Sequence, residues 1–114
     1  MTATSVYDDD GPILITVRWQ IAPERRDRFM TAMRSVRREL KQKGALDWYL
    51  VEDVARPGAM LETFSVATWA EYQRLPERVT VADEQVEQEL LEAAGTELPS
   101  PTPHRAVDLP KRGA

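Results

Sequence analysis

At 114 residues, 42% of them apolar and 30% charged, the chain is sized for one soluble domain with a modest core. It has no cysteine, which excludes disulfides and thiolate chemistry, and no apolar run approaches the ~20 residues a membrane-spanning helix needs. Its formal net charge of −4 and pI near 5.0 oppose a phosphate-binding surface, so neither nucleic acid nor membrane insertion is expected, and the expected location is cytoplasmic.

The chain opens on "MTATSVYDDDG", an acidic stretch without a signal-peptide core, expected to be a flexible leader over 1–11. "PILITVRWQI" (12–21) is rich in β-branched residues and alternates, with Ile13, Ile15, Val17 and Trp19 on one face, the pattern of a strand. Pro23 suits the first turn of a helix, where a missing N–H costs nothing. Along 24–43, Phe29, Met33, Val36 and Leu40 form one apolar stripe, with Arg25, Arg26, Arg34, Arg37, Arg38 and Lys41 largely off it. Gly44 is placed to end this helix as its C-terminal cap.

"ALDWYLVEDV" (45–54) returns to strand character. Strict alternation sets Leu46, Trp48, Leu50 and Val54 on one face and Asp47, Tyr49, Val51 and Asp53 on the other. "ARPG" supplies a turn, and "AMLETFSVA" (59–67) is the second arm of a hairpin. On that arm Met60, Glu62, Phe64 and Val66 share a face, so one carboxylate stands in an apolar row. Such a group is more often paired at a strand edge or exposed than functional.

In "TWAEYQRLPERVTVAD" (68–83) two helix starts follow each other: Thr68 with Glu71 as a capping box, then Thr80 with Asp83. Pro76 disfavours helical geometry at Leu75, which predicts a short first helix. The second carries a stripe of Val79, Ala82, Val86, Leu90 and Ala93 and closes at Gly95. "TELPSPTP" is an extended connection, "HRAVDL" (104–109) a last short strand, and 110–114 a tail. Residues 24–43 carry eight bases against three acids, whereas 83–97 carry six acids and no base. Two helices of opposite sign lying side by side, or two solvated faces, explain this better than a nucleic-acid surface.

The order β-α-β-β-α-β over 12–109 is the ferredoxin-like α+β arrangement. It leaves one sheet face open, with Tyr49 and Val51 on it, and the simplest cover is a second copy of the chain. A homodimer is therefore expected.

The series "KGALDWYLVEDVARPGAMLETFSVATWAEYQRLPERVTVAD" resembles the dimeric α/β-barrel superfamily that includes the antibiotic biosynthesis monooxygenases. More narrowly, it is similar to the soluble C-terminal segment of enterobactin-exporter-like major-facilitator proteins, the transmembrane secretion effector group. Gly44-Ala45, Trp48, Asp53, Pro57, Glu62-Thr63-Phe64, Trp69-Ala70-Glu71, Arg74, Arg78-Val79-Thr80 and Ala82-Asp83 carry the likeness, which covers roughly 12–108. It implies a pocket for a small aromatic or polyketide-like compound and, in the oxygenase branch, cofactor-independent oxygenation. The exporter branch implies instead a non-catalytic ligand-binding or accessory protein.

Departures from the family patterns bear on that choice. Its cofactor-free oxygenases use an Asn–Trp–Arg set and its haem-degrading branch uses Asn, Trp and a helical His; this chain contains no asparagine. Where exporter segments have His after Trp-x-Glu there is Tyr72, and where a second His precedes Glu-Arg there is Pro76. The single histidine, His104, makes a poor metal site. No metal and no cofactor are expected. Trp48, Trp69 and Tyr72 are candidates to hold a ring, Arg74 or Arg78 to stabilise an anion, and Glu62 or Glu71 to take a proton. Each has a plainer role: Trp48 in the core, Glu71 in the cap, Tyr72 in a hydrophobic staple, Arg78 in an ion pair. The sequence assigns no catalytic residue.

Overall fold

The computed structural model describes residues 11–78, 84–95 and 97–107, with only the backbone of residues 76–78. The leader through residue 10, the Thr80–Asp83 helix start, the Val79 and Ala82 part of the second stripe, and residues 108–114 lie outside the described residues.

Strand β1 (Ile13–Gln20) leads through a 3-10 turn (Pro23–Arg25) into helix α1 (Arg26–Gln42); β2 (Leu46–Glu52) and β3 (Ala59–Val66) form the hairpin. Two helices, α2 (Trp69–Arg78) and α3 (Glu84–Ala94), precede β4 (Thr102–Arg105). The sheet order is β2-β3-β1-β4 with every neighbour antiparallel, the ferredoxin-like order the sequence predicts. Ile13, Ile15, Val17 and Trp19 of β1 face the core with Met60, Glu62, Phe64 and Val66 of β3. Phe29, Ala32 and Met33 of α1 and Leu90 and Ala93 of α3 close over them. Basic α1 and acidic α3 lie side by side, tied by Arg28 to Glu92 at 3.5 Å and by Arg25 Nη1 donating to the Glu92 carbonyl.

Helix α1 ends in a Schellman arrangement. Gly44 adopts φ 101°, the Ala45 N–H bonds the Leu40 carbonyl and the Gly44 N–H that of Lys41. The β2–β3 turn is fixed from the other side of the chain. Glu52 takes two hydrogen bonds from Arg26, at 2.8 and 3.0 Å, and one from the Gly58 N–H at 2.8 Å. The Arg26 hydrogen bond, followed by that of Gly58, draws the Glu52 carboxyl down to about 2. Gly58 itself has φ 92°, and a Cβ there would run into the Ile21 carbonyl oxygen; no other residue fits.

Five expectations need correction. The α-helix begins at Arg26, because the first turn after Pro23 is wound as 3-10. Leu46 does not share a face with Trp48: pairing passes from Leu46↔Ser65 to Tyr49↔Thr63, so one extra residue sits opposite Phe64. Asp47 absorbs this bulge at φ 50°, which turns Leu46 to the open side. Val54 is fully exposed because β2 has already ended. Helix α2 runs past Pro76 to Arg78; a proline removes one N–H without forcing termination, and Leu75 is held by packing on the core. Finally, β4 occupies 102–105 rather than 104–109. It pairs with β1 alone, and an edge strand can carry Pro103.

Candidate functional site

Glu62 is placed by sheet order. Strand β3 lies inside the sheet, so a side chain on its core face has β1 on one flank and β2 on the other. Glu62 stands opposite Val17 of β1 and Leu50 of β2. Two residues along each of those strands, Trp19 and Trp48 occupy the diagonal positions, within reach of a long side chain. Trp19 Nε1 donates to Glu62 Oε1 at 3.2 Å, and Trp48 Nε1 to Oε2 at 2.9 Å. The carboxylate is only 3% exposed; it is neither edge-paired nor solvated.

That position has an electrostatic consequence. Burial disfavours the charged form and pushes the Glu62 carboxyl above its ordinary value, opposed by the hydrogen bonds from Trp48 and then Trp19. Both indole donors are neutral. Among the described residues no cation pairs with this carboxylate.

Beside Glu62 a pocket of about 420 Å³ opens between the sheet and the helices. Val17 and Phe64 form its floor, Val36 and Leu40 of α1, Leu75 of α2 and Leu90 of α3 its walls, and Leu98, Pro99 and Pro101 one rim. Glu39, Lys43 and Glu87 are the other charged lining residues described, and Lys43 is ion-paired with Glu39 at 3.0 Å. A volume of this size, largely apolar with a few polar groups, matches the usual character of small-molecule sites.

Of the residues singled out from the sequence, Trp48 and Glu62 come together. Trp69 and Tyr72 pack on each other, with centroids 5.3 Å apart and planes at 32°, and Trp69 borders a separate hollow with Ile13, Pro103, His104 and Arg105. Their helix starts where expected: the Glu71 N–H bonds Thr68 Oγ1 at 3.1 Å. Arg74 is exposed and ion-paired with Glu71 at 3.0 Å. The Arg78 side chain lies outside the described residues. His104 sits on the edge strand, its Nε2 2.9 Å from Thr16 Oγ1.

Trp19 is not among those candidates, because alternation along β1 shows it only as one more apolar residue of its strand. A buried indole N–H needs an acceptor, and the lone carboxylate in the row Met60, Glu62, Phe64, Val66 was the signal that could have found the pair. Among the described residues no cluster of three or more His, Cys, Asp or Glu could hold a metal ion, and no helix is long and apolar enough to cross a membrane.

A family model described as transmembrane secretion effector matches residues 1–108. No significant match was found among curated proteins. Solved structures give the fold. A Caulobacter crescentus protein assigned by name to the antibiotic biosynthesis monooxygenases is 13% identical, with a TM-score of 0.72, covering 94% of this chain and 100% of its own. A Deinococcus radiodurans protein of the same designation is 14% identical, at TM-score 0.66 and coverage of 90% and 99%. A conserved protein from Methanosarcina mazei is 18% identical, at TM-score 0.66 and coverage of 88% and 97%.

Proposed function

The chain belongs to the transmembrane secretion effector family and has the fold of the antibiotic biosynthesis monooxygenases; from that premise we propose that it is a homodimeric small-molecule-binding protein. Its pocket takes a small aromatic or polyketide-like compound, with Glu62 accepting a hydrogen bond from it. One observation carries the reading: a buried carboxylate, steadied by two indoles, at the wall of a largely apolar pocket of about 420 Å³. Burying a carboxylate costs stability, and a chain that needed only a packed core would place an apolar side chain there. Perturbed titratable groups in clefts are associated with function.

Trp19 lines the pocket and Trp48 touches Glu62, so indole fluorescence should report occupancy. Titration with a panel of two- and three-ring aromatic compounds is expected to give a saturable change. Leu98→Trp, which fills the rim, should abolish that change while preserving the circular dichroism spectrum. Silence from the whole panel would count against the reading.

Catalysis at the same place is favoured by the raised pKa of Glu62, which suits a proton acceptor for a phenol or quinol whose anion then reacts with oxygen. Oxygen uptake with such substrates, lost in Glu62→Gln, would establish it. Binding without uptake would leave the accessory role, to which the absence of asparagine from the chain already inclines.

A further inference from the structure

The charge around the pocket bears on the kind of compound it admits. Four described lining residues carry formal charge when ionised, Glu39, Lys43, Glu62 and Glu87, and the one base among them is bonded to Glu39. The remainder of the lining is apolar. Glu62 is the deepest of the four at 3% exposure, and its two partners are neutral N–H groups. Each carboxylate oxygen has a second lone-pair site, so both indoles can stay in place while a further donor is accepted.

Three ligand classes meet this arrangement differently. An anion would bring a second negative charge into an apolar space beside a buried carboxylate, which low dielectric makes costly. A neutral hydroxyl would add a hydrogen bond and leave the carboxylate without a counter-charge. A protonated amine would supply both, and charge-assisted hydrogen bonds are about twice as strong as neutral ones. Trp19 and Phe64 line the same space, and aromatic faces attract organic cations.

From the unneutralised carboxylate of Glu62 at an apolar pocket with an acidic rim, we infer that this protein selects lipophilic amines: aromatic or fused-ring compounds bearing a basic nitrogen. The inference rests on the binding reading above and narrows it to one chemical class. Glu62 is the specificity-determining residue, Glu87 the acidic group at the rim, and the apolar walls provide affinity common to all three classes.

Naphthylmethylamine, naphthylmethanol and naphthoic acid share one ring system and differ in a cationic, neutral or anionic head. Each is titrated calorimetrically into the full chain near neutral pH. The amine is expected to bind at least about tenfold tighter than the alcohol, with the acid weakest. Glu62→Gln, its fold verified by circular dichroism, should weaken the amine to the level of the alcohol and leave the alcohol nearly unchanged. Should that variant fail to fold, the ranking of the three probes on the unaltered chain decides alone. An alcohol that equals or exceeds the amine, or an acid that binds best, overturns the amine selectivity while leaving the pocket standing. Binding by none of the three removes the binding reading and this one together.

Discussion

At Glu62 a single carboxyl group links sheet position to titration. Its folded pKa lies above the ordinary value because burial outweighs the two indole hydrogen bonds. A carboxyl raised in the folded state binds its proton more tightly there than in the unfolded chain. Its contribution is therefore most favourable at low pH and is lost as pH rises from the unfolded value through the folded one. Glu62→Gln cannot ionise, so the unaltered chain should lose stability relative to this variant across that rise. One indole then faces an amide N–H₂, which costs the variant about 1–3 kcal/mol at the acidic end. Denaturation midpoints for both proteins over a pH series check this; a gap that stays constant, or widens in favour of the unaltered chain as pH rises, refutes the assignment. The sequence displayed the odd carboxylate in its apolar row. It did not display that β3 is an interior strand, which converts an edge group into a buried one.

For single elements, α1 and α2 offer direct tests. Phe29 is fully buried beneath α1 and packs on Trp19 with centroids 5.2 Å apart, so Phe29→Ala should cost roughly 3–5 kcal/mol. Arg37 on the same helix is exposed, and Arg37→Ala should change stability by less than about 0.5 kcal/mol. Urea denaturation compares the two; similar midpoints would mean the buried face is misplaced. Thr68→Ala removes the acceptor of the Glu71 N–H and should cost about 1 kcal/mol, read as a lower melting temperature. These elements were legible because local rules govern them: a stripe of period 3.6, a glycine at a left-handed C-terminal position, a threonine at a helix start. What escaped was set by pairing between strands. The extra residue at Asp47 appears in no alternation pattern, since only the partner strand defines what is extra, and it decided the side on which Leu46 lies. The bounds of β4 are hidden for a similar reason: Pro103 opposes an interior strand, and only the pairing of β4 on one side makes room for it.

For the whole molecule, the open question is what covers the far side of the sheet. Its helix-facing side holds the core, while Leu14 is 45% exposed, Tyr49 61% and Val51 51% on the other. These three come from β1 and β2, with β3 running between those strands, so they are spread across the sheet. The cross-strand rows Val51–Leu61–Arg18 and Tyr49–Thr63–Thr16 mix apolar and polar groups. A mixed, partly apolar face of that breadth suits a self-complementary two-fold contact, in which Tyr49 and Val51 meet the same patch of a second copy. The bulge at Asp47 strengthens the case, because it adds Leu46, 52% exposed, to the side that alternation alone would have left without it. Light scattering at micromolar concentration should therefore return about twice the 13.0 kDa chain mass. Val51→Asp places a charge where the contact would be dry and should return the mass to that of one chain, with the circular dichroism unchanged. Because the pocket beside Glu62 is built from residues on the helix-facing side, the same variant should bind its ligand with little loss. A single-chain mass for the unaltered protein would refute the dimer and leave the pocket unaffected.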